Sequence, residues 1–241
     1  MPDANDHSDH DEAVSDQSLE APRSVNELYL YRGDEVVAER PLMTGDVLGD
    51  VLADNDTDGL AIILTHPCSM RTGVELIPRL LVAPVQRHQA VTDNQWRGHM
   101  RVMPLPELRN RESFAARFAD LTQVPIDQLN RDQRIACLSE TGMALLQQRL
   151  VAYLTRFTVK KHLLGATSAA VLVEVDLMEE WCSAAVASGK HSLAEAERSF
   201  HEWIRADNDG TSRQERLKDS LERAPIRREL AAELAARART A

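Results

Sequence analysis

The chain has 241 residues, 43% of them hydrophobic and only 4% aromatic, with a formal net charge of −10. That length suits one large or two small domains, and the apolar content is enough to bury a core without disulfides. The acidity argues against general attraction to a phosphate backbone but leaves room for a local basic groove, and so few aromatics make no prominent stacking platform for single-stranded nucleic acid. Cys68, Cys137 and Cys182 stand far apart with no C-x-x-C, which predicts reduced thiols. No apolar run approaches the ~18–20 residues of a membrane span. The acidic start lacks the basic and apolar regions of a signal peptide, so no membrane association is expected and the expected location is cytoplasmic.

Residues 1–24 carry seven acids against Arg23 alone and almost no large apolar side chain. This composition predicts a disordered acidic tail that either solubilises the chain or masks a basic site. Leu28-Tyr29-Leu30-Tyr31 reads as a first strand, Arg32-Gly33-Asp34-Glu35 as its turn and Val36-Val37-Ala38 as a return. Strands are expected over 47–52, 60–64 and 80–85, where short apolar runs alternate with polar or glycine-containing links. Met100-Arg101-Val102-Met103 reads as a weaker strand stopped by Pro104 and Pro106. Residues 114–124 and 134–138 fit either strand or helix. About five antiparallel strands are expected within 40–138.

From Ser139, a plausible N-cap, the period changes to that of a helix, with Leu145, Leu146, Leu150, Tyr153, Leu154 and Phe157 on its apolar face. Val171, Val175, Met178, Cys182 and Ala185 form a second stripe, closed by Gly189. Ser192 with Glu195, and Ser212 with Glu215, fit the capping box, and Pro225 suits the first residue of a last helix. Leu217 and Leu221, then Ile226, Leu230 and Leu234, make narrow stripes that must pack either on the chain's own helices or on a second copy or partner, and an intermolecular contact is expected.

Gly45-Asp46-Val47, the apolar strand over 60–64, a strand ending Ala83-Pro84-Val85, the segment 118–124 and a Leu138-Ser139 that opens a helix follow one another in a familiar order. This succession resembles the MazF/PemK toxin family over about residues 40–157. The resemblance implies an SH3-like barrel and a cytoplasmic, usually dimeric, sequence-selective endoribonuclease of toxin–antitoxin type that needs no metal or other cofactor. Family chemistry leans on an arginine near the start of the second apolar strand and a hydroxyl just after the Pro-Val of the third. Here those places hold Asp58-Gly59 and Gln86-Arg87, so Arg71 and Arg87 stand as candidate replacements. The fold class is therefore read as α+β: a small SH3-like antiparallel β-barrel followed by a C-terminal helical region. The organisation is a tail over 1–24, a barrel with its closing helix over 25–157, and a helical extension over 158–241.

The segment Thr65-His66-Pro67-Cys68-Ser69-Met70-Arg71 leaves a buried strand for a loop, a common place for functional side chains. Its candidate catalytic residues are His66 and Arg71, joined by Arg87. Thr65, Cys68, Ser69 and Gln86 are candidate binding residues. Packing alone also accounts for the segment, and so does a zinc site begun by His66 and Cys68 and completed by His88 or His99. Asp54-Asn55-Asp56-Thr57-Asp58-Gly59 copies half of a calcium loop, but Thr65 stands where the closing Glu belongs, and a β-turn explains it better. Arg131, Arg134, Arg149, Arg156, Lys160, Lys161 and His162 suggest either a solvated basic face or a contact for RNA or the acidic tail. Trp96, Trp181 and Trp203 are dispersed, as core residues would be.

Two functions follow. One is an RNA-binding domain with metal-free cleavage, in which His66 activates the 2′-hydroxyl while Arg71 and Arg87 hold the phosphate. The other is a non-catalytic module that docks a partner protein through the barrel and C-terminal helices, with a homodimer through those helices.

Overall fold

A computed structural model of the protein describes residues 18–52, 59–72, 75–98, 100–208 and 210–239. Residues 54–58 of the calcium-like stretch 54–59, His99 and residues 1–17 of the acidic segment lie outside the described residues.

The barrel is built on β1 (Tyr29–Arg32), β2 (Asp46–Leu52), β3 (Gly59–Ile63) and, after a small β4–β5 hairpin (Arg71–Thr72, Glu75–Leu76), β6 (Arg79–Arg87). A single helical turn, α1 (Asp93–Trp96), leads to β7 (Val102–Arg109), β8 (Glu112–Arg117), β9 (Thr122–Pro125) and β10 (Arg134–Leu138). The antiparallel order is β1-β10-β2-β3-β6-β8-β7, with β9 also on β6. Nine residues long, β6 holds β9 along 79–82 and β8 along 85–87, so two successive strands share one of its edges.

The end strands of this order meet. Tyr29 Oη donates to the Pro106 carbonyl at 2.9 Å, and Arg32 Nη1 donates to the Glu107 carbonyl at 2.9 Å. The sheet thus curls into a nearly closed antiparallel barrel.

The apolar runs are continuous because both faces of the strands are covered. Leu60, Ile62, Ala83 and Val85 point into a core with Phe114 and Phe118. Ala61, Ile63, Leu80 and Val82 point to a second core with Leu42, Met70, Val124 and Leu129. The alternation of side chains along a strand sorts neighbours into these two cores.

Helix α2 (Glu140–Thr155) adds Met143, Leu145 and Leu146 to the first core. Ser139 caps it as expected, its Oγ accepting the Gly142 amide at 3.0 Å. Gly142 is needed there: a Cβ would lie 2.2 Å from the Leu28 carbonyl oxygen.

Beyond it run α3 (Lys161–Ala187), α4 (Leu193–Arg205), a short β11–β12 hairpin (Asp207–Asn208, Thr211–Ser212), α5 (Arg213–Arg216) and α6 (Arg223–Arg239). They enclose a third core of Leu177, Met178, Trp181, Cys182, Phe200, Ile204, Leu217, Ile226 and Leu230. The Ser192–Glu195 capping box forms, and Gly189 takes φ +68° just past the end of α3. The α+β architecture expected from the sequence is present, a barrel followed by helices.

Several expectations change. Residues 40–138 supply seven strands to the barrel sheet rather than about five. Val36–Ala38 forms no return strand. β7 runs through Pro104 and Pro106, which an outermost strand tolerates because one side of it needs no ladder donors. Leu154 and Phe157 are 63% and 71% exposed instead of joining the α2 core face. Residues 18–24 of the expected tail are ordered against the barrel: Leu19 is buried, and the Glu20 carboxylate accepts from Gln148 Nε2 and the Lys161 amide. Pro225 is the third residue of its helix. Of the stripes read as a surface for a homodimer or partner, Leu217, Ile226 and Leu230 are buried in the helices' own core with Leu234 packed against it, while Leu221 is 80% exposed. Three short stripes on different helices can cover one another, which a single-helix reading does not reveal.

Candidate functional site

β6 organises the candidate residues because its two ends lie in different surroundings. At its start, Leu81 donates its amide to Thr65 Oγ1 at 2.7 Å, and the Thr65 carbonyl accepts from Thr44 Oγ1. Thr65 is thereby occupied in tying β3 to β6. His66 caps the short turn Pro67–Ser69: its Nδ1 accepts the Cys68 amide at 3.3 Å, which places the proton of a neutral ring on Nε2. That Nε2 lies 3.5 Å from Oγ of Ser168, which is buried on α3. A ring with its lone pair so engaged is poorly placed as a general base. Cys68 and Ser69 are exposed on the same turn.

Arg71 follows, partly buried beneath the helical extension. Burial lowers its pKa, Glu197 and Glu174 oppose that, and Arg131 adds to it. Arg131 pairs with Glu197 at 2.7 Å. Glu174, raised above the usual carboxylate range by burial, accepts from Gln214 Nε2 at 3.0 Å. His201 completes this cluster. It is 5% exposed, and neither ring nitrogen has a hydrogen-bond partner among the described residues. Burial first, then Arg71 and Arg205, push its pKa down to about 4. Other charged groups join the same seam: Glu179 accepts from Tyr31 Oη at 2.7 Å and from Arg40 at 2.5 Å, and Asp176 accepts from Arg40 at 3.2 Å.

Gln86 and Arg87 sit at the opposite end of β6. Six residues of strand separate Leu81 from Arg87, about 20 Å at ~3.3 Å per residue. The structure therefore brings Thr65, His66, Cys68, Ser69 and Arg71 together and leaves Gln86 and Arg87 apart from them. His88 is also at this far end, its amide donating to the Ser113 carbonyl. Among the described residues no group of three or more His, Cys, Asp or Glu is placed to hold a metal ion.

Around Arg87 the outer face of β6, β8 and β7 is concave. Gln86 lies opposite Ala115, and Val102 lies opposite Arg117. Gln86, Arg87, His88, Arg101, Val102, Ala115, Arg117 and Ala119 line a cleft of about 360 Å³. Small alanines form part of its lining beside long basic side chains. Arg117 donates to Gln86 Oε1 at 3.0 Å and pairs with Asp120 at 2.8 Å, while Arg87 pairs with Glu112 at 2.6 Å, all well exposed. Arg97, Arg101, Arg109 and Arg111 are exposed and make no ion pair with a described residue. Residues 86–119 hold six arginines against three acids in a chain of net charge −10.

Arg101 and Arg117 were not singled out for this site by the sequence. The available signal was the density of arginine over 86–119, with Arg117 at the outer end of an alternating strand. The supposed basic stripe near α2 is dismantled by burial: Arg149 is wholly enclosed, donating to the Glu20 and Trp96 carbonyls at 2.9 Å, and Arg134 pairs with the buried Asp46 at 3.2 Å.

No protein-family model matches the chain, and no curated protein sequence matches it. No helix among the described residues is long and apolar enough to cross a membrane.

Proposed function

We propose that this barrel binds RNA, in keeping with its resemblance to the MazF/PemK toxin family, through the basic cleft on β6, β8 and β7. The observation that carries the reading is the convergence of Arg87, Arg101, Arg117, His88 and Gln86 on one concave surface. Guanidinium groups match phosphate oxygens with paired donors, and Gln86 and His88 add polar groups for a base or sugar edge. The reading is of binding. A base at His66 and cations at Arg71 and Arg87 do not share one phosphate position.

Anisotropy of a labelled single-stranded RNA tests it. Three phosphate contacts give a slope of log affinity against log salt of about −2. Arg101→Glu with Arg117→Glu should weaken binding tenfold or more at low salt, flatten that slope and leave the melting temperature unchanged. Equal binding by the wild type and the double variant would overturn the reading.

One observation favours a second function, docking of a protein. Leu154, Phe157 and Leu163 are 63%, 71% and 55% exposed around the turn between α2 and α3. Exposed apolar side chains gathered in one turn mark contact surfaces. Leu154→Ser with Phe157→Ser should then abolish capture of the partner without reducing RNA affinity, measured on the same preparation.

A further inference from the structure

We infer that a groove in the helical extension, between α3, α6 and the turn into α4, is a binding site for a small aromatic carboxylate. It holds about 320 Å³, within the ~300–1,000 Å³ usual for small-ligand sites. Trp181, Ala184 and Ala185 of α3, with Leu234 and Ala238 of α6, form its apolar wall. The alanines leave open the space that larger side chains would fill. Ser188, Lys190, His191 and Arg237 form its polar rim, and no Asp or Glu is among its lining residues, in a chain whose net charge is −10.

The groove is held in shape before any ligand arrives. At its base Trp181 donates Nε1–H to Ser199 Oγ at 2.9 Å, and its ring packs on those of Trp203 and Phe200, with centroids 5.5 and 6.0 Å away. Arg237 lies over the same indole, its Cζ 4.1 Å from the ring centroid, and its Nε donates to Glu233 at 2.9 Å. A guanidinium laid on a ring and steadied from one side is an oriented fork for a carboxylate. Little side-chain freedom is then left to lose on binding.

Cations gathered past a helix C-terminus ordinarily serve its last carbonyls. Those of α3 are met by the chain's own turn instead. The Ala184 carbonyl accepts the Ser188 amide at 3.3 Å, the Ala185 carbonyl accepts the Ser188 hydroxyl at 2.6 Å, and the Val186 carbonyl accepts the Gly189 amide at 2.9 Å. Glu195, which interacts electrostatically with His191, accepts from the Ser192 amide and hydroxyl, both at 2.8 Å. The rim is therefore not required as a cap, and a carboxylate entering the groove meets positive charge above an apolar wall. The acid supplies a charge-assisted hydrogen bond and the flat ring supplies buried area, so one molecule must carry both.

Calorimetric titration of the full chain with 1-naphthoate, and with its neutral amide 1-naphthamide, tests the site. The acid should bind about tenfold more tightly than the amide, as one charge-assisted hydrogen bond predicts. Arg237→Gln should remove that preference and leave the affinity for the amide unchanged. Lys190→Gln, in the exposed turn, should lower the affinity for the acid in the same direction, so the test does not rest on helix variants alone. Ala184→Leu fills the groove from an exposed position and should weaken both compounds. Naphthoate should raise the melting temperature of the wild type but not of Ala184→Leu. The protein with Arg101→Glu and Arg117→Glu should bind naphthoate as the wild type does, which separates this site from the basic cleft and from the RNA reading. Absence of naphthoate binding, equal affinity for acid and amide, or an affinity indifferent to the groove substitutions would overturn the inference.

Discussion

The two ends of β6 hold the same kinds of residue in opposite surroundings. At the Thr65–Arg71 end, histidine and arginine lie against α3 and α4 among Glu174, Glu197 and His201. At the Gln86–Arg87 end, arginines line an open cleft, with Arg87 65% exposed. An arginine in the first place is a structural cation facing partly buried carboxylates; one in the second is open to solvent and, on the proposed function, to ligand. Residue type therefore did not distinguish an open cleft from a closed seam, and the neighbours supplied by the helices did.

The comparison is broken most severely by disturbing the closed end. Arg134 and Asp46 pair at 3.2 Å with side chains 0% and 1% exposed, and Arg134 also donates to the Val37 and Arg40 carbonyls. Burial alone pushes the Asp46 pKa up, and Arg134 opposes it. Arg134→Ala strands a buried carboxyl and two carbonyls, with an expected loss of about 3–5 kcal/mol by urea denaturation. RNA affinity per folded molecule should not change. A loss below about 1 kcal/mol would mean that this buried pair does not hold the closed end together.

The barrel was legible where both faces of a strand are covered, since runs such as 60–64 and 80–85 announce burial without further context. Ser139 and the Ser192–Glu195 box were legible because caps are local. The site was not. Whether Arg71 meets solvent depends on α3 and α4, more than a hundred residues later in the chain. Nor does any short motif reveal that Arg101 and Arg117 face Gln86, because that follows from the β6-β8-β7 pairing. The C-terminal stripes misled for a related reason: each looked too narrow to be a core until α3, α4 and α6 were seen to close on one another.

His201 gives the next effect in size. Its folded pKa is held at about 4, below the 6.5 of an ordinary histidine, by burial and by Arg71 and Arg205. The unfolded chain therefore binds the proton more readily between these values. Stability is fully present above pH 6.5 and falls as pH drops toward about 4. The shift corresponds to roughly 3 kcal/mol over that window. His201→Gln should flatten this limb of the stability–pH curve, read from urea midpoints at pH 7.0, 5.5 and 4.5. An unchanged limb would assign the acid sensitivity to other groups and weaken the picture of a dry seam.

The smallest effects sharpen the comparison most directly, because they set one arginine near each end of β6 against the other. Arg71→Ala removes a partly buried cation facing Glu174 and Glu197, and leaves those carboxylates less compensated in a space that the helices enclose. The expected cost is about 1–3 kcal/mol, with no loss of RNA affinity. Arg87→Ala removes an exposed pair with Glu112 and a contact over the Phe114 ring at 5.9 Å. Its expected stability cost is under about 0.5 kcal/mol, since solvent screens such pairs. RNA affinity should nevertheless fall severalfold, and the salt slope should lessen by about 0.7 as one phosphate contact disappears. The two variants should thus separate stability from binding in opposite directions. If Arg71→Ala instead spared stability and lost binding, the surface near His66 would be the ligand site after all, and the helices would have to open to expose it.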